Sequence, residues 1–553
     1  MNLDVTSLNH RRAVHRWERV SVGDVLERVT WSYPDKEAIV GWAGAYADPA
    51  HARLTYRQAD RLANQVAHGL LARGLAPGDR VLLYCENSVE AYVTKIGIAK
   101  AGLVCVPVNP ALAEDVIGHV IDTVRPAFAV VDAELWPRAD KAFRNAGLAA
   151  GITIPIGGDP VNGSPSFTAF VDGQSTAEPE VEIHADDIWQ ILFTSGTTAL
   201  PKGAMISHQC SYFAAYSFAL TLTRGVQLEC DLKLAAFLPV IYHVADQVFT
   251  FPAFLAGGTL VIGRRPAPQP IAEAISREAV TALWAGSPAM ANALASTLAA
   301  DRLSYDPRSL KVMVYGWAAL PPGTLATFKR LCGDDFVAVE IFGQTEAISC
   351  HRFWPDKWPE TYRRTAPEQN YVGVPNPILA STVMDPLGEM LDDQPGVPGE
   401  AVYRSPAVTA GYYRDEPATE EAFRYGWFHS GDSCVYDDQG LRIMVDRSKD
   451  IVKTGGENVS SLRVEAVLHQ HPGVAKAAVI GLPHDHWGEA VTAIVVAETG
   501  PAPAEADLIA FCHERLAGFE TPKRVLFADA LPETVGGKVL KYKLREQHAG
   551  AYR

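Results

Sequence analysis

The clearest pattern along the chain is an alternation between apolar residues at helical spacing and short, continuous apolar runs. Residues 54–74, LTYRQADRLANQVAHGLLARG, carry apolar side chains at helical intervals and reach Gly74 where a helix would stop. Pro77-Gly78-Asp79 then turns into RVLLYC, which has the length and composition of a buried strand. A helical stretch, SVEAYVTKIGIAKAG, and another strand, LVCVPVNP, follow. The same rhythm returns in AAFLPV and GGTLVIG, and again in ALWAGSP and LKVMVYG, each pair separated by a helical segment. Such alternation predicts an α/β fold with largely parallel sheets. Beyond Pro398-Gly399-Glu400 the pattern changes to strands and turns, GEAVYRS and GWFHSGDSCVYDDQGLRIMVD, with a turn at Asp437-Asp438-Gln439-Gly440. A small β-barrel-like subdomain is expected there. After Arg447 come VEAVLHQHP, VAKAAVIGLP, AVTAIVVAE and a helix from Ala504 to Leu516, enough for a small α+β domain. The expected division is a large domain over residues 1–447 and a small, mobile one over 448–553.

Composition narrows the class. Of 553 residues, 48% are hydrophobic and 20% charged, which is the balance of a globular protein with a large core. The net charge of −15 disfavours a general nucleic-acid or anionic-membrane binder, because both partners would be repelled, and leaves room for a local basic pocket. Eight scattered cysteines form no C-x-x-C pair and read as reduced thiols. The N-terminus lacks the apolar run of a signal peptide. The most apolar stretch, Leu234 to Ile262, is interrupted by Pro239, His243, Asp246 and Pro252, so no integral membrane segment is expected and the protein is placed in the cytoplasm.

Four stretches carry candidate chemistry. Thr194-Ser195-Gly196-Thr197-Thr198-Ala199-Leu200-Pro201-Lys202-Gly203 follows the strand-like IWQILF. Its small residues let backbone approach a phosphate, its hydroxyls can donate to it, and Lys202 adds charge. It lacks the Walker spacing, and an ordinary Ser/Thr/Gly turn is the plain alternative. In Ile341-Phe342-Gly343-Gln344-Thr345-Glu346 a carboxylate beside a hydroxyl suits Mg²⁺ held against phosphate oxygens, and Phe342 could stack on a base; a strand-end turn is the competing reading. Trp427-Phe428-His429-Ser430-Gly431-Asp432, followed by Asp446-Arg447, offers a carboxylate for two ribose hydroxyls and a guanidinium for phosphate, or simply a hairpin with an ion pair. Finally, Pro532-Glu-Thr-Val-Gly-Gly-Lys538-Val-Leu-Lys541 sets a lysine after two glycines, or is a solvated basic tail.

Together and in this order, the four stretches resemble the adenylate-forming superfamily of acyl-CoA synthetases, firefly-type luciferases and peptide-synthetase adenylation domains, over about Val22 to Leu544. The resemblance extends to DRSKDIVKTGGENVS, similar to that family's hinge. It implies an ATP-dependent ligase that joins a carboxylic acid to AMP and then transfers the acyl group to coenzyme A. It also implies roles. Lys538 bridges carboxylate and α-phosphate, two anions that repel by about 4 kcal/mol at ~4 Å and an effective dielectric near 20. Glu346 holds Mg²⁺ and Thr345 touches the α-phosphate. Asp432 takes the ribose with Arg447 assisting. Thr194, Ser195, Gly196, Thr197, Thr198 and Lys202 cradle the phosphates. Ala318, Phe342, Gly343 and Gln344 line the nucleotide. The small domain turns about Lys449, which removes Lys538 and brings in the segment around Lys453. His243, Asp246, Gly316 and Trp317 fall in the acyl pocket, with His243 also near the chemistry.

The chain departs from the family pattern at three places. Ala199 replaces a common Gly in the phosphate loop. Trp317 stands where a second Gly is common, so its indole should shorten or flatten the acyl pocket and favour short or flat aromatic acids. Asp246 replaces a small residue. His243 and Asp246, three residues apart at the apparent start of a helix, could share a face and mark an amine-bearing substrate or acceptor, as in an amide-bond synthetase, diazotase or N–N ligase. The plain alternative is that Asp246 is a structural carboxylate with a partner. His484-Asp485-His486 reads as a structural turn, and Gly286-Ser287-Pro288 lacks the second glycine of a nucleophile elbow.

Overall fold

The runs that patterned as buried strands pair in parallel, in two separate sheets. A computed structural model describes residues 19–194, 200–223, 228, 230–447, 449–455, 457–499, 502–533 and 539–552. One sheet holds, in spatial order, Ile152–Ile154, Phe128–Asp132, Arg80–Tyr84, Val104–Pro107, Ile188–Thr194 and Lys202–Ser207, parallel except for the last pair. The other holds a parallel run, Glu37–Trp42, Thr259–Gly263, Lys233–Ala236, Ala282–Gly286, Val312–Gly316 and Val337–Gln344. Its far side continues in antiparallel fashion through Ala347–Phe353 to Asn370–Pro375, Arg442–Arg447, Phe428–Tyr436, Gly399–Arg404 and Ala380–Met384. The strands expected beyond residue 398 are Gly399–Arg404, Phe428–Tyr436 and Arg442–Arg447 of this group, which has its own apolar core around Val383, Tyr403, Phe428 and Cys434; among the described residues the pairs His351–Pro375 and Arg352–Val374 join Asn370–Pro375 to Ala347–Phe353.

The helix Tyr56–Leu71 starts at Thr55, which forms a capping box with Gln58, and packs on Val89–Lys100. Every residue of Val89–Lys100 is buried, including two lysines. A helix enclosed on all sides is apolar all round, so each lysine requires a carboxylate. Lys100 pairs with Asp60 at 2.8 Å and Glu178 at 2.7 Å, and Lys95 with Asp246 at 2.5 Å.

A small C-terminal α+β domain follows. It is built on the sheet Glu457–Val459, Val452–Thr454, Gly488–Ala497 and Val474–His484, with Arg524–Phe527 beside Gly488–Ala497 and a core of its own. The expected helix near its end is Glu505–His513. No helix among the described residues is long and apolar enough to cross a membrane.

Candidate active site

Parallel strands end together where ligands of open α/β sheets gather, at their carboxyl ends. Gly316, last in its strand, is paired with Ile341, and a Cβ on Gly316 would come within 2.8 Å of the Ile341 carbonyl oxygen. Only glycine permits that approach. Trp317 and Ala318 follow it, exposed at the strand ends. Trp317 has φ +72°, a left-handed conformation that costs a non-glycine residue on the order of 1–2 kcal/mol. The sequence marked Trp317 as a departure from glycine, and the backbone gives the physical reason that glycine suits the position.

The Trp317 indole belongs to an aromatic wall. Its centroid lies 5.5 Å from Trp284, which stacks on Phe249 at 4.4 Å and 18°. Trp284 and Phe249 are buried, whereas Trp317 remains 37% exposed and so presents a ring face. Gly286 makes room for it: a Cβ there would meet Leu238 Cδ1 at 2.6 Å and Trp317 Cζ3 at 3.5 Å.

On the other side of Gly316 the strand Val337–Gln344 turns back into Ala347–Phe353, and Thr345 and Glu346 form the turn between them. Glu346 is buried; its Oε1 accepts a hydrogen bond from Tyr412 at 3.0 Å, and its carbonyl accepts one from the Thr409 amide at 2.6 Å. Phe342 and Tyr412 each pack against the apolar core of the antiparallel strands, while Gly343 is exposed and Gln344 half-buried. The oxygens of Glu346 and Thr345 are of the hard type that Mg²⁺ prefers. Among the described residues no three His, Cys, Asp or Glu side chains converge as a metal cage.

Asp432 and Arg447 sit directly opposite one another on neighbouring antiparallel strands, and Arg447 Nε reaches Asp432 Oδ1 at 2.6 Å. The arginine is raised above its ordinary pKa, by Asp432 first, with Glu346 adding to the effect, so the two carboxylates share one cation. Glu400 holds this corner from below: its carboxylate accepts from the Gly431 amide at 2.8 Å and bonds His429 Nδ1 at 2.7 Å.

The phosphate-loop stretch joins two antiparallel strands, with Thr194 and Lys202 paired at its mouth. Unlike a Walker loop, it leads from strand to strand and not from strand to helix. Ser195, Gly196, Thr197 and Thr198 lie outside the described residues, as does Lys538. Lys202 Nζ lies 5.3 Å from the Tyr412 ring centroid, within cation–π range. Lys449 is exposed in the turn between the strands Arg442–Arg447 and Val452–Thr454, and Lys453 is exposed on the second of these.

The His243–Asp246 expectation is corrected. His243 is exposed on a bend before the helix begins, with its Nδ1 accepting from the Ala245 amide at 3.2 Å. Asp246 opens a π-helical turn, Asp246–Thr250, and is fully buried against Lys95. Burial pushes its carboxyl up to about 6 while Lys95 pulls it down. With His243 exposed and Asp246 buried beside Lys95, the two residues do not present one shared face, and the structure favours the paired structural carboxylate. The histidine pair at 484 and 486 is a turn: His484 Nδ1 accepts from the amides of His486 and Trp487.

Sequence reasoning missed Tyr412, Trp284, Phe249 and Lys95. A tyrosine in AGYYRDEPAT and aromatics in apolar strands give no local signal. Lys95 did give one, since a lysine inside SVEAYVTKIGIAKAG demands a buried carboxylate.

Known proteins share this arrangement. Residues 26–413 match the family model for the AMP-binding enzyme, and residues 463–538 match that for the AMP-binding enzyme C-terminal domain. A feruloyl-CoA synthase of an Amycolatopsis species is 32% identical over 496 residues, which cover 89% of this chain and 94% of that one. The long-chain-fatty-acid–CoA ligase FadD13 of Mycobacterium tuberculosis is 31% identical over 530 residues, 95% of this chain and 99% of that one. The crystal structure of ATP-bound MatB from Rhodopseudomonas palustris superposes with a TM-score of 0.81 at 30% identity, covering 96% of this chain and 100% of that one. The chain therefore belongs to the AMP-binding enzyme family, as an AMP-forming ligase of the acyl-CoA synthetase type.

Proposed function

We propose that this ligase activates a short or flat aromatic carboxylic acid as its acyl-adenylate and passes the acyl group to coenzyme A. The observation that carries the reading is that Tyr412 joins Glu346 to Lys202 and Arg447 pairs with Asp432, while Trp317 follows a strand paired with the one that leads to Glu346. Asp432 is suited to accept hydrogen bonds from ribose hydroxyls, with Arg447 as its counter-charge. Lys202 and the loop that ends on it take the leaving phosphates. Phe342, Gly343, Gln344 and Ala318 border the adenine, and Thr345 donates to the α-phosphate. Mg²⁺, held by Glu346 and phosphate oxygens, would spread the negative charge of the triphosphate. Lys538 neutralises the carboxylate as it approaches the α-phosphate, a preorganised charge contact made chiefly in the transition state.

For the second step we assign the boundary between residues 1–447 and 448–553 as the pivot, with Lys449 at the hinge. Polar contacts cross it: Asp446 Oδ2 accepts from the amide and hydroxyl of Ser461 at 2.6 Å, and Ser460 Oγ donates to the Val445 carbonyl at 2.7 Å. Rotation exchanges Lys538 for the Lys453 segment. His243, exposed beside the acyl pocket, borders the path of the thiol. The setting we assign is the cytoplasm, where ATP and coenzyme A are supplied.

The test is pyrophosphate release across a panel of acids, with and without coenzyme A, for the parent and for Trp317→Gly. Aromatic or short acids are expected to be preferred, with acyl-CoA as product. Trp317→Gly is expected to gain about tenfold on longer acids, the effect of one or two extra methylenes accommodated. A parent that prefers long straight chains defeats the pocket assignment, and an acyl product formed only with amines defeats the acceptor.

A further inference from the structure

Tyr412 lies on a segment that no candidate motif contains, yet it touches two of them. Its hydroxyl donates to Glu346 Oε1 at 3.0 Å, and its ring lies under the Lys202 ammonium at 5.3 Å. The backbone around it is laced to both as well. Tyr412 bridges Ala204, the Met205 amide bonds the Gly411 carbonyl at 2.8 Å, and the Tyr413 amide bonds the Gly203 carbonyl at 2.8 Å, all on the strand that begins at Lys202. Thr409, three residues before Tyr412, donates its amide to the Glu346 carbonyl and its hydroxyl to the Met205 carbonyl. The Tyr412 amide is fixed by the Thr419 hydroxyl at 2.9 Å, which sets the ring's starting point.

Taking the assignment of Glu346 to Mg²⁺ and Lys202 to phosphate as its basis, we propose that Tyr412 is a positioning residue that aims the Glu346 carboxylate at the metal and holds the Lys202 ammonium over the same triphosphate. One Glu346 oxygen is occupied by the phenol, so the carboxylate cannot rotate freely and its other oxygen is the one offered. A carboxylate restrained by a neutral donor keeps its charge for a metal, whereas one paired with a lysine would not. The ring does the complementary task for Lys202, steadying a flexible cation without neutralising it.

The two halves of the proposal separate by substitution. Tyr412→Phe removes one oxygen and keeps the ring; Tyr412→Leu removes both. ATP affinity is measured by equilibrium dialysis with full-length protein, once with excess Mg²⁺ and once with a chelator, and each variant's thermal melt is recorded alongside. For Tyr412→Phe, affinity for Mg·ATP is expected to fall roughly tenfold, the size of one hydrogen bond to a charged group, while metal-free ATP binds as in the parent. In steady state the loss falls on KM for ATP and on the Mg²⁺ concentration for half-activation, with KM for the acid unmoved. Tyr412→Leu is expected to lose a further few-fold in metal-free ATP as well. Added to Glu346→Gln, Tyr412→Phe is expected to change nothing more. Equal weakening with and without metal would overturn the proposal, as would full additivity with Glu346→Gln. If Glu346→Gln retains the parent's Mg²⁺ dependence, the metal assignment itself falls and the proposal with it. If Glu346→Gln loses that dependence and Tyr412→Phe keeps it, only the role of Tyr412 fails.

Discussion

Two ion pairs of almost equal length serve this protein differently. Arg447 and Asp432 meet at 2.6 Å, and Lys95 and Asp246 at 2.5 Å. The Arg447 side chain is 28% exposed, so Asp432 can share it with a ligand, whereas both partners of the second pair are sealed. On the proposed reading the first is a binding device, whose charge is lent to the nucleotide. The second is a brace, holding the wholly buried helix Val89–Lys100 against the π-helical turn that carries Phe249 into the aromatic wall. Exposure of the cation separates the two pairs: Arg447 is 28% exposed and Lys95 1%, while both aspartates are buried.

The comparison can be broken most directly from the sealed side. Lys95→Met leaves Asp246 buried without a counter-charge and is expected to destabilise the protein by about 3–5 kcal/mol in urea unfolding, whereas Lys95→Met with Asp246→Leu recovers most of that loss. A single change that costs under ~1 kcal/mol would show that the pair is not a brace. The open side should respond in function instead. Lys538→Ala is expected to slow pyrophosphate release on the order of a hundredfold or more, with the use of a supplied acyl-adenylate largely kept. Unchanged release would remove Lys538 from the mechanism. Asp432→Ala is expected to raise KM for ATP roughly tenfold with turnover at saturation nearly constant, since the ribose does not react, and to leave the urea midpoint close to the parent's. A large fall in turnover would mean that the pair acts in the transition state.

The smallest expected effect is in pH. The Asp246 carboxyl rises from its ordinary 3.8 to about 6 in the fold, because burial penalises the charged form more than Lys95 rewards it. The folded state thus binds a proton that the unfolded chain has released, between those two values. Its contribution to stability is greatest near pH 4 and declines as pH rises through about 6. Stability curves over pH 4–7 are expected to slope downward more for the parent than for the Lys95→Met, Asp246→Leu pair, and identical slopes would contradict the burial argument.

The fold was legible because it rests on local pattern, as do the motifs that show the family. Strand runs such as RVLLYC and LKVMVYG announce themselves by length and composition, and the four motifs by spacing. The acyl side was legible only as an anomaly. Trp317 was visible as a residue out of place, but its left-handed backbone and its contact with Trp284 come from strands 30 residues apart in the chain that meet in register. Asp246 was misassigned because its neighbour in sequence, His243, was easier to see than its neighbour in space, Lys95, which lies on a helix 151 residues earlier. Polar residues inside apolar helices are the signal that connects such pairs: SVEAYVTKIGIAKAG called for two carboxylates, and Asp246 was one of them.

The left-handed backbone at Trp317 also bears on how this enzyme could change over generations. A tryptophan codon becomes a glycine codon by one base change. At most positions that step would sacrifice a packed ring and gain only disorder. Here glycine fits the backbone without strain, and the ring it removes is already 37% exposed, so the relief offsets part of the lost packing. On the proposed pocket assignment, a lineage carrying this chain therefore stands one mutation from a broader acid range at little cost to folding, and the return step is equally short.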